Sequence, residues 1–240
     1  MPVPSYFRIF AGSDSGVRFA RVLAERLSAT LHDGDRIPRR GPALLVGNHA
    51  LLGLDSVALT AALVAEGHRP PRFLAEKNLF RFPGVRPALT ALGAIPGRPD
   101  EAVALLEAGE LVCVYPGGVD DSFKLSTEAY TLQWGDRKGF ARVALRARAP
   151  ILPVAATGVD DLFEIPRREH RLGRALLGSD RYDLPIPESL VPRRVPLDFF
   201  VLPPIEPEGD ARDPESVARV RQATWESLES VLRPYREGRR

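Results

Sequence analysis

The chain has 240 residues, 44% hydrophobic and 27% charged, with a net charge of +2. That is enough apolar chain for one sizeable core and too little net charge to argue for a nucleic-acid partner. A single cysteine, Cys113, excludes an internal disulfide, and no Cys/His grouping has metal-ligand spacing, which fits a reducing compartment.

Met1 to Tyr6 has neither the charged start nor the long apolar run of a leader peptide. No uncharged apolar stretch of about 18 residues occurs, so no membrane span is expected. Gly16 to Leu31 places Val17, Ala20, Leu23, Ala24, Leu27 and Leu31 on one helical stripe, with Arg18, Arg21 and Arg26 elsewhere. This predicts an amphipathic helix packed on its own domain, with an interfacial role as the alternative. Ala43 to Val46 reads as a short buried strand, followed by a helix from Ser56 and a strand over Arg72–Ala75. Leu79 to Leu92 is broken by Pro83, Gly84 and Pro87. Asp100 is the expected cap of a helix that Gly109 ends, and Leu111–Tyr115 is an apolar strand closed by Pro116-Gly117-Gly118. A helix over Gly139–Arg148 leads to a buried strand, Ile151–Ala156. An arginine- and proline-rich stretch, Asp160 to Arg194, precedes a strand pattern over Val195–Leu202 and an amphipathic helix over Pro214–Leu232.

Strands alternating with helices predict one α/β domain over residues 1–240. Its central sheet is mostly parallel with helices on both faces, and it has an N-terminal and a C-terminal helix. Residues 1–40 form a helical lead-in, 41–158 the region carrying the motifs, 159–194 an irregular insertion, and 195–240 a closing strand and helix.

At the end of the first buried strand stand Asn48 and His49, and five residues separate His49 from Asp55 at the start of a helix. A carboxylate on one ring nitrogen fixes the tautomer and leaves the other free to take a proton from a hydroxyl, the arrangement of a general base. The residues alone also admit a structural histidine with Asp55 as a helix cap. Three further stretches fall at strand ends, where an open α/β sheet places its crevice. Gly93-Ala94-Ile95-Pro96-Gly97-Arg98 delivers an arginine, Tyr115-Pro116-Gly117-Gly118 exposes backbone N–H groups, and Ile151-Leu152-Pro153-Val154 is a core strand. His32, His68 and His170 belong to no motif and read as surface residues, and Cys113 as core.

In that order these four stretches resemble the blocks of the glycerolipid and lysophospholipid acyltransferase family, over roughly Gly41 to Gly158. The resemblance implies that His49 is the base and Asp55 its orienting partner. It sets Asn48, Arg98, Tyr115, Pro116, Gly117 and Gly118 against substrate, with the N–H groups of Gly117 and Gly118 facing the oxyanion. Lys124, Arg137 and Lys138 are weaker candidates for the phosphates of the donor, with a solvated loop face as the alternative. It implies acyl-CoA or acyl carrier protein as co-substrate, no cofactor and no metal, a lipid acceptor, and a cytoplasmic protein with peripheral contact to the inner face of the membrane. The chain departs from the family pattern in having five rather than four residues between His49 and Asp55. Gly117 also stands where the family has glutamate, and Asp120 where it has arginine. These departures, with Trp134-Gly135-Asp136-Arg137-Lys138-Gly139-Phe140-Ala141, are similar to the diacylglycerol-acyltransferase-like and phytyl-ester-synthase-like branch. With Asp120 and Asp121 set to repel phosphate, a neutral acceptor is expected: diacylglycerol, monoacylglycerol or a long-chain alcohol. The alternatives are a phosphorylated acceptor, a thioesterase using the same pair, and a non-catalytic lipid-binding module.

Overall fold

Every residue of β2 (Ala43–Gly47) is buried, as befits a parallel strand covered on both faces. The computed structural model describes residues 14–75, 80, 84–91, 93–169 and 183–239. β2 runs parallel between β5 (Leu111–Val114) and β6 (Ile151–Thr157), with Leu45 opposite Cys113 on one side and Leu152 on the other. Parallel β3 (Arg72–Ala75) and β4 (Ala94–Pro96) extend the β5 side. On the other side β9 (Leu197–Val201) pairs antiparallel with β6, and β1 (Ala29–His32) pairs parallel with β9. Among the described residues the sheet order is β1-β9-β6-β2-β5-β3-β4. The mostly parallel sheet is as expected.

Alternation along the strands divides the core. Leu45, Phe73, Cys113 and Leu152 face α2 (Leu54–Ala65), which α1 (Asp14–Arg26) covers from outside. Leu44, Val46, Val112 and Ile151 face α4 (Pro99–Glu107), α6 (Gly139–Ala147) and α7 (Pro214–Glu237). Two shorter helices, α3 (Val85–Ala91) and α5 (Gly118–Ser122), precede β4 and follow β5.

Several expected boundaries move. The helix expected over Gly16–Leu31 ends at Arg26, because Ser28 turns left-handed (φ 50°) and Leu31 joins β1. The lead-in therefore supplies an edge strand as well as a helix. Asp100 is not a cap: α4 begins at Pro99, whose fixed φ suits a first turn, and Asp100 lies inside that turn. The closing helix continues to Glu237. The insertion is not wholly irregular, since β7 (Arg167–Glu169) and β8 (Leu184–Ile186) form a separate antiparallel pair. Residues 1–13, His170 and the rest of 170–182 lie outside the described residues. Among those described, no helix is long and apolar enough to cross a membrane.

Candidate active site

At Gly47 the backbone of β2 passes so close to β6 that a Cβ would come within 2.8 Å of the Val154 carbonyl oxygen and 3.4 Å of the Tyr115 ring. Asn48 then continues the pairing with its side chain. Its Nδ2 donates to the Ala156 carbonyl at 2.9 Å, and its Oδ1 accepts the Ala156 N–H at 2.8 Å. Asn48 is buried, which corrects its expected place against substrate: its amide reproduces a peptide's donor and acceptor where the backbone turns away. The next residue, His49, is thereby held at the carboxyl edge of the parallel strands.

The five residues after His49 make a tight reversal. Leu52 (φ 62°) and Gly53 (φ 67°) are consecutive left-handed residues. Glycine adopts that conformation freely. For Leu52 it costs about 1–2 kcal/mol, and this side chain is 68% exposed. The reversal sets Asp55 in the first turn of α2, where Gly53 is the capping residue and Asp55 is not. Instead Asp55 Oδ2 accepts from His49 Nδ1 at 2.8 Å. The carboxylate is 1% exposed and the imidazole 20%. Asp55 Oδ1 is buried without a hydrogen-bond partner, at the helix end whose dipole favours an anion.

Burial disfavours a charged His49. The charge and hydrogen bond of Asp55, with a further contribution from Asp121, outweigh both that burial and the opposing Lys124. The His49 pKa is therefore raised above its ordinary value. With Nδ1–H held by Asp55, Nε2 is the ring atom able to accept a proton. One face of the ring stacks on Tyr115, centroids 4.3 Å apart and planes 10° from parallel. Ser56 Oγ donates to the Tyr115 hydroxyl at 3.2 Å, and burial pushes that phenol's pKa well up, so Tyr115 stays neutral.

Beyond Tyr115 the chain turns through Pro116 and Gly117 into α5. Gly118 is left-handed (φ 51°), and its N–H donates to the Tyr115 carbonyl at 2.9 Å. Of the two glycine N–H groups expected to face an oxyanion, that of Gly118 therefore closes the turn. Tyr115, Pro116 and Gly118 also line a cavity of about 380 Å³ with Gly97, Arg98 and Arg137, over an apolar floor that includes Leu44, Leu74, Val114 and Phe140. Both arginines have carboxylate partners: Arg137 bonds Asp120, and Arg98 lies 3.9 Å from Glu101.

Two expectations change here. Asp120 is balanced by Arg137, and Asp121 is buried behind Gly117, so neither stands as a free repelling charge. Lys124 is not on a solvated face. It is 4% exposed and donates to Asp160 Oδ2 at 2.9 Å, because two buried carboxylates draw its ammonium inward. His32 keeps its expected place near the surface, 38% exposed, with its Nε2 2.7 Å from Asp198 Oδ1. Arg137 does reach the cavity, Lys138 caps the start of α6, and Cys113 is core, burial pushing its thiol pKa up. Sequence reasoning missed the burial of Asp121, Lys124 and Asp160, having set Asp121 to repel phosphate and Lys124 to meet the donor phosphates or solvent. It also missed the Tyr115 stack, for which no local pattern exists.

A family model described as Acyltransferase matches residues 28–157. Over 133 residues, 55% of its length, the chain is 34% identical to a Bos taurus protein named DGAT1/2-independent enzyme synthesizing storage lipids, covering 40% of that protein. It is 30% identical over 178 residues to phytyl ester synthase 2, chloroplastic, of Arabidopsis thaliana, covering 68% of this chain and 24% of that one. The chain thus spans about two fifths of the first relative and a quarter of the second. Its fold is similar to the crystal structure of the 1-acyl-sn-glycerophosphate acyltransferase of Thermotoga maritima, with a TM-score of 0.56 and 18% identity over 94% of this chain and 86% of that one. The matched segment takes in more than half of the chain and runs from β1 through His49, Asp55 and the Tyr115 turn to the end of β6, and by that match the protein belongs to the acyltransferase family.

Proposed function

We propose that the protein moves a fatty acyl group from acyl-CoA or acyl carrier protein to the hydroxyl of a neutral lipid acceptor: diacylglycerol, monoacylglycerol or a long-chain alcohol. The observation that carries this reading is the His49–Asp55 hydrogen bond, 2.8 Å long with a buried carboxylate, on a ring stacked against Tyr115, which lines a cavity of about 380 Å³. The acceptor's O–H proton passes to His49 Nε2 as its oxygen attacks the thioester carbonyl carbon, and Asp55 stabilises the imidazolium. The N–H of Gly117 serves the resulting oxyanion. Collapse breaks the C–S bond, and the departing sulfur takes the proton back from Nε2. The acyl thioester is the co-substrate, and no cofactor or metal is assigned. Because Arg98 and Arg137 both have carboxylate partners, the cavity offers little uncompensated positive charge to a phosphate dianion, which supports the neutral acceptor. Lys138 remains a donor-phosphate candidate, and Arg137 becomes one only by giving up Asp120.

A cytoplasmic protein docked peripherally on the membrane suits such a substrate. Phe19 and Val22, both more than half exposed, lie on α1 beside Arg18 and Arg21. Flotation with anionic vesicles should show binding that weakens with salt.

The deciding experiment gives purified protein one labelled acyl-CoA and, separately, diacylglycerol, monoacylglycerol, a long-chain alcohol, glycerol 3-phosphate or lysophosphatidate, and follows ester and free thiol. Thiol release should depend on a neutral acceptor. Full-rate release without acceptor would make the protein a thioesterase. Preference for the phosphorylated acceptors would reject the neutral one, and tightly bound lipid without turnover would leave a binding module.

A further inference from the structure

A buried group of charges beneath the Tyr115 turn has no part in the mechanism above. Asp121 is fully buried, and its side chain folds back over Gly117 so closely that a Cβ there would come within 2.3 Å of Asp121 Cγ. The Gln133 N–H donates to Asp121 Oδ1 at 2.7 Å, and Lys124 Nζ lies 4.0 Å from the same oxygen. Lys124 in turn donates to Asp160, which also accepts the Tyr130 N–H at 2.6 Å. Asp121 Oδ2, by contrast, is buried with no hydrogen-bond partner. A carboxylate kept for packing alone has both oxygens satisfied, since leaving one bare costs stability.

The cluster abuts the loop that carries the base. α5 packs on the Leu51–Gly53 turn, and Leu51, Asp121, Lys124 and Asp160 line one small cavity of about 10 Å³. The groups whose charge acts on the His49 ring are Asp55 from α2, Asp121 from α5 and Lys124 just after it, and the neutral Tyr115 after β5 stacks on it.

We propose that Asp121 is a positioning residue for His49, its buried carboxylate holding the Tyr115 turn against the His49 loop and favouring the imidazolium formed when His49 takes the acceptor's proton. Gly117 is its complement, because any side chain there would occupy the space of that carboxylate. The inference rests on His49 acting as the base. Asp121 raises the His49 pKa, in the direction this requires, and Lys124 and the Gln133 N–H favour the charged form of Asp121 against the burial that pushes its own pKa up.

Asp121→Asn keeps the size of the side chain and the acceptor for Gln133 while removing the charge. The His49 ring should be titrated by NMR in substrate-free protein, alongside melting temperature and the pH profile of acyl transfer. The midpoint of His49 should fall by roughly half a unit. kcat should fall roughly tenfold with KM for the acyl thioester within about twofold, since the charge acts on a protonated state and not on binding. An unmoved His49 midpoint would overturn the proposal, whatever happens to the melting temperature. Should the variant fail to fold, the wild type decides: the carboxyl carbon of Asp121 should show an inflection at the His49 midpoint that His49→Ala abolishes, and its absence would equally overturn the proposal. A moved midpoint in a protein that transfers no acyl group would uphold the coupling and reject the transferase reading.

Discussion

Two histidine–aspartate pairs of closely similar geometry occur among the described residues. His49 lies 2.8 Å from Asp55 and His32 lies 2.7 Å from Asp198. Each ring stacks on an aromatic at 10°, His49 on Tyr115 at 4.3 Å and His32 on Phe200 at 4.5 Å. What separates them is their surroundings. The His32 pair joins neighbouring strands at the edge of the sheet, with side chains 38% and 33% exposed, and water screens both partners. The Asp55 carboxylate is 1% exposed, in the first turn of a helix, and the ring it holds is stacked on Tyr115, which lines the cavity. A short distance between the right residue types is therefore not a site. Burial of the carboxylate, which strengthens its hold on the ring, and a ring neighbour that lines a cavity are what distinguish the proposed base from a surface ion pair.

The sharpest test of this contrast is His49→Ala, which should lower acyl transfer about 10³-fold with the folded circular dichroism spectrum retained. Asp55→Asn should lower it roughly 10²-fold by releasing the ring's tautomer and orientation. It should also move the acid limb of the rate profile to lower pH. The sign follows from the raised His49 pKa: the base must be neutral, so the rate falls as pH drops through that pKa, and removing the carboxylate lowers it. The same shift contributes stability that is fully present below the unfolded-state pKa and is lost as pH rises through the folded one. The melting temperatures of wild type and Asp55→Asn should therefore differ more at pH 5 than at pH 9, as differential scanning fluorimetry would show.

Gly47→Ala forces a methyl against the Val154 carbonyl and the Tyr115 ring. It should cost about 1–3 kcal/mol in urea denaturation and several-fold in rate. His32→Ala should change activity less than about twofold and stability by no more than about 1 kcal/mol. If His32→Ala impaired transfer as much as His49→Ala, the distinction between the pairs would collapse.

Much of this protein was legible in its residues. Apolar runs as short as Ala43–Val46 marked buried strands, because a strand covered on both faces has no polar side to show. The order of Asn48-His49, Asp55, Arg98 and Tyr115–Gly118 along the chain marked out the candidate site, because an α/β sheet brings successive strand ends to one edge. What the residues left open was decided by contacts between positions far apart in the chain. Leu31 satisfied the helical stripe equally well, and only pairing with Phe199 drew it into an edge strand. Asn48 could have faced substrate until β6 offered it a peptide to pair with. Asp121 read as a charge set to repel phosphate and Lys124 as a donor-phosphate candidate or a solvated loop residue, and it is the approach of Gln133 and Asp160 from later in the chain that lets them be buried together. Local pattern reports which side chains avoid water. Whether a polar side chain can also leave it depends on a partner, and the partner is supplied by the fold.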